Sequence, residues 1–112
     1  MSPVLTPTLL DPIAERFELT ETELGRLFGV SRQAVGQWRE RGVPSNRMAR
    51  VTTVAAIGDL LGHQLKPERI PGIARRPAEA YGGLSILEMI ERGREDELIR
   101  KIRRSFDWAS PA

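Results

Sequence analysis

Apolar residues recur at helical spacing along most of this chain, and capping residues divide them into short segments. One such segment opens at Thr20, where Glu23 three positions later completes the pattern of a capping box. The same segment closes at Gly29, a residue type suited to the left-handed end of a helix. Its inward positions are Leu24, Leu27 and Phe28. The pattern predicts a short amphipathic helix followed at once by a tight turn.

A second short helix is predicted directly after that turn, with Ser31 as its N-cap. Its inward side holds Val30, Ala34, Val35 and Trp38. Its outer side holds Arg32, Gln33, Gly36, Gln37 and Arg39. Glutamine can pair bidentately with adenine and arginine with guanine in the major groove, so this face favours a helix-turn-helix that reads DNA. The alternative is a helical hairpin whose polar face only meets solvent.

The remaining periodic segments also predict helices. Asp11 followed by Pro12 opens a short one that includes Ile13, Ala14 and Phe17. A longer helix runs from Ser45 to about Leu61, with inward positions at Met48, Val51, Val54, Ala55, Gly58 and Leu61. Further on, the pattern predicts a short helix over residues 68–75, a helical turn at 78–81, a helix from Ile86 to Arg92 capped by Ser85, and one from Arg94 to about Phe106.

These elements predict an all-α fold in two parts. Residues 9–63 would form a helix-turn-helix bundle of about four helices, and residues 64–112 a small C-terminal helical module for protein interaction. Residues 1–8 contain two prolines and no periodicity, which is typical of a flexible arm.

Charge and composition limit the classes of function that are possible for this chain. The net charge is only +2, but residues 30–50 carry five arginines against one acid. Such a local excess of positive charge is what phosphate binding requires. The alternative is that these are ordinary surface arginines. The basic run 100–104 is better explained as a helix C-terminus than as a second nucleic-acid patch.

The chain has no cysteine and a single histidine, His63, so we do not expect an enzyme, a metal site or a cofactor. No apolar run is long enough to span a bilayer, so we expect a soluble protein. The absence of cysteine makes a reducing cytoplasm its expected setting.

The stretch LFGVSRQAVGQWRERGVP resembles the Xre/Cro/C1-type helix-turn-helix family, and the similarity covers about residues 10–62. The resemblance implies that the second helix enters the major groove. The positions it implies at base edges are Arg32, Gln33, Gly36 and Gln37. Those it implies near phosphates are Ser31, Arg39, Arg41, Ser45 and Arg47.

The stretch RRPAEAYGGLSILEMIERGREDELIRKIRRSFDW is similar to the toxin-binding domain of Xre/MbcA/ParS-type antitoxins, over about residues 67–112. Ile86 stands where that family usually has proline. The resemblance implies a toxin partner, often a RES-type NAD-degrading enzyme, and an antitoxin that represses its own promoter. Candidate partner-facing residues are Tyr81, Leu84, Met89, Phe106 and Trp108. For each of them, simple core packing explains the residue at least as well.

We therefore predict a sequence-specific repressor that binds operator DNA as a homodimer, because one short helix reads only a few base pairs. The first alternative is an antitoxin that acts mainly by binding and inhibiting a cognate toxin enzyme. A pure adaptor without DNA affinity is the third hypothesis, and the outer face of the second helix argues against it.

Overall fold

The computed structural model describes the backbone of residues 9–109 and the side chains of residues 9–106. The seven α-helices in that range are α1 (Leu10–Phe17), α2 (Glu21–Phe28), α3 (Arg32–Arg41), α4 (Ser45–Gln64), α5 (Ile70–Arg75), α6 (Ile86–Glu91) and α7 (Glu95–Ala109). Two 3₁₀ turns, Pro67–Arg69 and Glu79–Tyr81, lie between α4 and α6. An isolated antiparallel bridge between Ala78 and Leu84 is the only strand-like pairing in the described range. The all-α prediction is confirmed; the predicted arm, residues 1–8, lies outside the described residues.

The caps that join α2 to α3 form as the sequence predicts. The Glu23 amide donates to Thr20 Oγ1 at 3.1 Å, and the Thr20 amide donates to Glu23 Oε1 at 2.8 Å. Gly29 takes the left-handed conformation, with φ +70°. The Ala34 amide donates to Ser31 Oγ at 3.1 Å. Local hydrogen bonds therefore define both ends of the turn.

Three details of α1 and α4 differ from the predicted pattern. Helix α1 begins at Leu10, so Asp11 lies in its first turn and Leu9, without a side-chain cap, precedes it. Helix α4 continues to Gln64, beyond the predicted end. Met48 is 41% exposed, which corrects its predicted inward position. In the first turns of α4 the partly buried side chains are those of Arg47 and Arg50, and they occupy the inward side in place of Met48.

One hydrophobic cluster draws on both predicted parts of the chain. Helix α4 packs against both α1 and α7, while α2 packs against α3 and α6. The largest fully buried side chains include Phe17, Phe28, Ile57, Ile70, Met89, Ile90 and Leu98. Burial of each such side chain contributes about 1.5 to 3 kcal/mol, so residues 64–106 stabilise the helix-turn-helix by covering its core. Within residues 9–109, no helix has both the length and the apolar composition needed to cross a membrane.

Candidate functional site

Helix α3 lies across α2 with one side buried and the other open. Val35 and Trp38 are buried, and the Trp38 ring lies 6.1 Å from that of Phe28, between ring centroids. A Cβ on Gly25 of α2 would stand 2.6 Å from the Val30 carbonyl oxygen, so only glycine permits this close approach of the turn to α2. The packing fixes which face of α3 turns outward.

The predicted base-contacting residues share that outward face. Arg32, Gln33 and Gln37 are exposed. Gly36 is half-buried, yet a Cβ added there would meet no atom within 4 Å. A long polar face with a gap at its centre can approach another surface closely, as a helix lying in a groove must.

The predicted phosphate-contacting residues are placed differently from one another. Ser31, Arg41 and Ser45 are exposed around the two ends of α3 and the start of α4. Arg47 is half-buried: its guanidinium lies 5.9 Å from the centroid of the Trp38 ring, and Nη1 donates to the Phe28 carbonyl oxygen at 3.1 Å. These contacts hold the Arg47 side chain beside α3 and use only part of its donor capacity.

The fifth of these residues, Arg39, has carboxylate partners. Its Nε lies 3.1 and 3.2 Å from the two carboxylate oxygens of Glu21, and its Nη2 lies 2.7 Å from Glu21 Oε1. Its Nη1 donates to Asp11 Oδ1. We call these three residues the Arg39 cluster. It joins the last turn of α3 to the first turns of α1 and α2.

Arg50 of α4 contacts three other helices, and the sequence pattern assigned this residue no role beyond its charge. Its Nη1 donates to the carbonyl oxygen of Phe28 and its Nη2 to that of Leu27, both at 3.3 Å, and Nη2 also donates to that of Ile90. Its Nε lies 3.3 Å from Glu95 Oε2 at the start of α7. One guanidinium thus meets the carbonyl ends of α2 and α6 and a carboxylate of α7. We call this the Arg50 junction; it links the helix-turn-helix to the C-terminal helices.

The predicted partner-facing residues are distributed between surface and core. Tyr81, Leu84 and Phe106 are half-buried. Burial raises the pKa of the Tyr81 hydroxyl above its ordinary value, so this group stays protonated at neutral pH. Met89 is fully buried, with 0% exposure. Trp108 lies outside the described side chains.

Helix α7 has the charge order that the sequence predicts at its start. Three acids lie in its first turn, and Arg94 donates to Glu97 from Nε and Nη2 at 3.0 Å each. This contact with Arg94 lowers the pKa of the Glu97 carboxyl. Because α7 continues to Ala109, the basic residues 100–104 lie in the middle of the helix rather than in its last turn.

The chain has the fold of a protein from a toxin–antitoxin complex. No protein-family model matches it, and no curated protein matches it in sequence. Its structure is similar to that of a chain in the crystal structure of the M. tuberculosis MbcT-MbcA toxin-antitoxin complex, with a TM-score of 0.68 and 20% sequence identity. The alignment covers 85% of this chain and 87% of that one. At this identity the likeness shows a shared fold, and that fold includes both the helix-turn-helix and the C-terminal helices.

Proposed function

We propose that this protein is the antitoxin of a toxin–antitoxin pair and that it binds and inhibits a partner toxin enzyme. The observation that carries the proposal is the fold shared with a chain of the MbcT-MbcA complex over 85% of the sequence. Such coverage exceeds what residues 9–63 or residues 64–112 could supply alone. The similarity of residues 67–112 to antitoxin toxin-binding domains supports the same function and favours a RES-type, NAD-degrading enzyme as the partner.

Gly82 and Gly83 follow the 3₁₀ turn Glu79–Tyr81, both with positive φ, and reverse the chain before α6. We place the partner-binding surface around this Gly82-Gly83 turn and α7. Tyr81, Leu84 and Phe106 keep part of their surface open and can lose it on binding, as interface anchors do. Trp108, near the C-terminal end of α7, is retained as a candidate from the sequence. Met89 is fully buried and belongs to the hydrophobic core, so we do not include it in this surface.

The test is inhibition of the enzyme encoded beside this protein, measured as NAD consumption with increasing amounts of the purified protein. We expect inhibition at stoichiometric amounts. We expect Leu84→Ala combined with Tyr81→Ala to weaken it, since the two half-buried side chains would lose interface area. Gln37→Ala, a substitution on the exposed face of α3, is the matched control and should inhibit as the unaltered protein does. Failure of the unaltered protein to bind or inhibit that enzyme would contradict the proposal.

A second function, sequence-specific repression by binding operator DNA as a homodimer, is favoured by the outward face of α3. Arg32, Gln33 and Gln37 are exposed together, and Gly36 leaves space among them. Their donors and acceptors suit base edges in the major groove. Ser31, Arg41, Ser45 and Arg47 lie around this face and supply hydroxyls and positive charge for phosphates.

Enrichment of genomic fragments by the purified protein, followed by titration of any enriched palindrome against scrambled DNA, tests the second function. Gln33→Ala or Gln37→Ala should each reduce discrimination by about 1 to 3 kcal/mol. Arg47→Ala should weaken binding to all sequences and reduce the salt slope by about 1. Equal losses on specific and scrambled DNA for both glutamine variants would refute the base-reading roles. Sedimentation that shows only monomer, with and without DNA, would refute the homodimer.

A further inference from the structure

Among the arginines expected at phosphates, Arg39 differs in its surroundings. All three of its guanidinium nitrogens contact carboxylate oxygens, two of them on Glu21 and one on Asp11. The two carboxylates leave the Arg39 cluster with one negative charge in excess. A phosphate that approached Arg39 would meet this excess charge and would have to displace a bidentate partner.

The position of the cluster in the fold indicates another role. Helix α3 has ten residues and is therefore about 15 Å long. Near its N-terminal end, the close contact between Gly25 and the turn at Val30 fixes its position. At its C-terminal end, Arg39 ties it to the first turns of α1 and α2. A helix held at both ends cannot pivot about the turn, so its outward side chains keep a fixed direction.

We propose that Arg39 is a positioning residue, which sets the angle of α3 so that the base-facing side chains reach their bases together, and that it is not a phosphate ligand. This inference rests on the proposed DNA-binding function and deepens it. Other arginines, whose guanidinium groups make fewer hydrogen bonds within the protein, would then bind the phosphates. Arg47 is one of these, because only one of its nitrogens donates within the described residues.

Arg39→Lys separates the two roles. A lysine keeps the positive charge, which is most of what a phosphate contact needs, but its single ammonium cannot form the fork that joins two carboxylates. We expect the ratio of affinities for the enriched palindrome and for scrambled DNA to fall by at least about fivefold, the equivalent of one misplaced base contact. The matched control is Arg47→Lys, which should keep that ratio.

Arg39→Gln adds a measurement that simple loss of stability would not change. Removal of a phosphate contact reduces the slope of log affinity against log salt by about 0.9, whereas removal of a positioning contact leaves it unchanged. Glu21→Gln should reproduce the loss of discrimination, although it removes a negative charge and would otherwise favour DNA binding. Thermal melting of each variant establishes that it remains folded at the temperature of the titration.

These experiments have three distinguishable outcomes. Absence of sequence-dependent binding by the unaltered protein would overturn the DNA-reading function and this role with it. Specific binding by the unaltered protein, together with undiminished discrimination by Arg39→Lys or a reduced salt slope for Arg39→Gln, would overturn the role of Arg39 alone. Lost discrimination at constant slope in folded variants would establish Arg39 as a positioning residue.

Discussion

Replacement of Arg50 by methionine should strongly destabilise the whole fold. Methionine retains much of the length and apolar stem of arginine but cannot donate hydrogen bonds. The substitution would therefore leave the carbonyl oxygen of Leu27 without its donor and Glu95 without its cation. It would also remove the Arg50 hydrogen bonds to the carbonyl oxygens of Phe28 and Ile90, which keep Arg47 Nη1 and the Gly93 amide as donors. Because these groups lie on α2, α6 and α7, the loss would weaken the contact between the helix-turn-helix and the C-terminal helices.

The size of the effect follows from burial and from the number of groups involved. The Arg50 side chain is 24% exposed and that of Glu95 is 12% exposed. Removal of one partner from a fully buried ion pair costs about 3 to 5 kcal/mol. Within residues 9–106, Arg50 Nε and Glu95 Oε1 already lack hydrogen-bond partners, so the pair is not optimal. We therefore expect a loss near the lower limit, about 3 kcal/mol, out of a total stability of about 5 to 15 kcal/mol for a domain.

Urea unfolding and thermal melting measure this loss. A decrease of about 3 kcal/mol corresponds to a Tm lower by roughly 12 to 24 °C in a domain of this size. The double variant Arg50→Met with Glu95→Gln should be more stable than Arg50→Met alone, because no unpaired buried charge remains. Arg100→Met, on the exposed face of α7, is the matched control and should change stability by less than about 0.5 kcal/mol. If Arg50→Met cost no more than Arg100→Met, the assigned role of the junction would be wrong.

Two further predictions concern the helix-turn-helix. Gly25→Ala should cost about 1 to 3 kcal/mol, because the new Cβ would stand 2.6 Å from the Val30 carbonyl oxygen. Gly36→Ala should be neutral or stabilising by up to about 1 kcal/mol, because no atom lies within 4 Å of the new Cβ. Equal unfolding free energies for Gly25→Ala and Gly36→Ala would contradict both expectations. The hydrogen bond from the Thr20 amide lowers the pKa of the Glu23 carboxyl below its ordinary value of 4.5. The ionised carboxylate therefore stabilises the fold at neutral pH. This contribution is lost as pH falls below 4.5 and through the lowered pKa. Urea unfolding across the acid range should show a shallower loss for Glu23→Gln than for the unaltered protein, and superimposable acid profiles would argue against the capping role.

The features predictable from the sequence were those that depend on neighbours within one helical turn. Thr20 with Glu23, and Ser31 with the Ala34 amide, form hydrogen bonds between residues three positions apart. Such contacts depend little on the rest of the fold, so residue type and spacing suffice to predict them. The outward face of α3 was predictable for the same reason, because the helical period alone separates it from Val35 and Trp38.

The features that escaped prediction depend on residues distant in sequence. The pattern assigned Asp11 to a helix cap, but its carboxylate instead meets Arg39, a partner 28 positions away. Arg50 meets a carbonyl oxygen 40 positions away, in Ile90. Helical spacing also placed Met48 inward, although the long side chains of Arg47 and Arg50 take that space. Spacing gives the direction of a side chain from its own helix, and only the tertiary arrangement decides what it meets there.

The Arg50 junction restricts how this protein can change during evolution. Its guanidinium serves helices from both parts of the chain, so a recombination event near residue 63 that supplied a foreign C-terminal part would leave Arg50 without Ile90 and Glu95. The same event would replace the residues of α7 that cover α4. Substitutions at positions 50 and 95 should consequently be coupled across descendants of this sequence. The surfaces at α3 and α7 can diversify residue by residue, but the two parts that bear them are inherited as a unit.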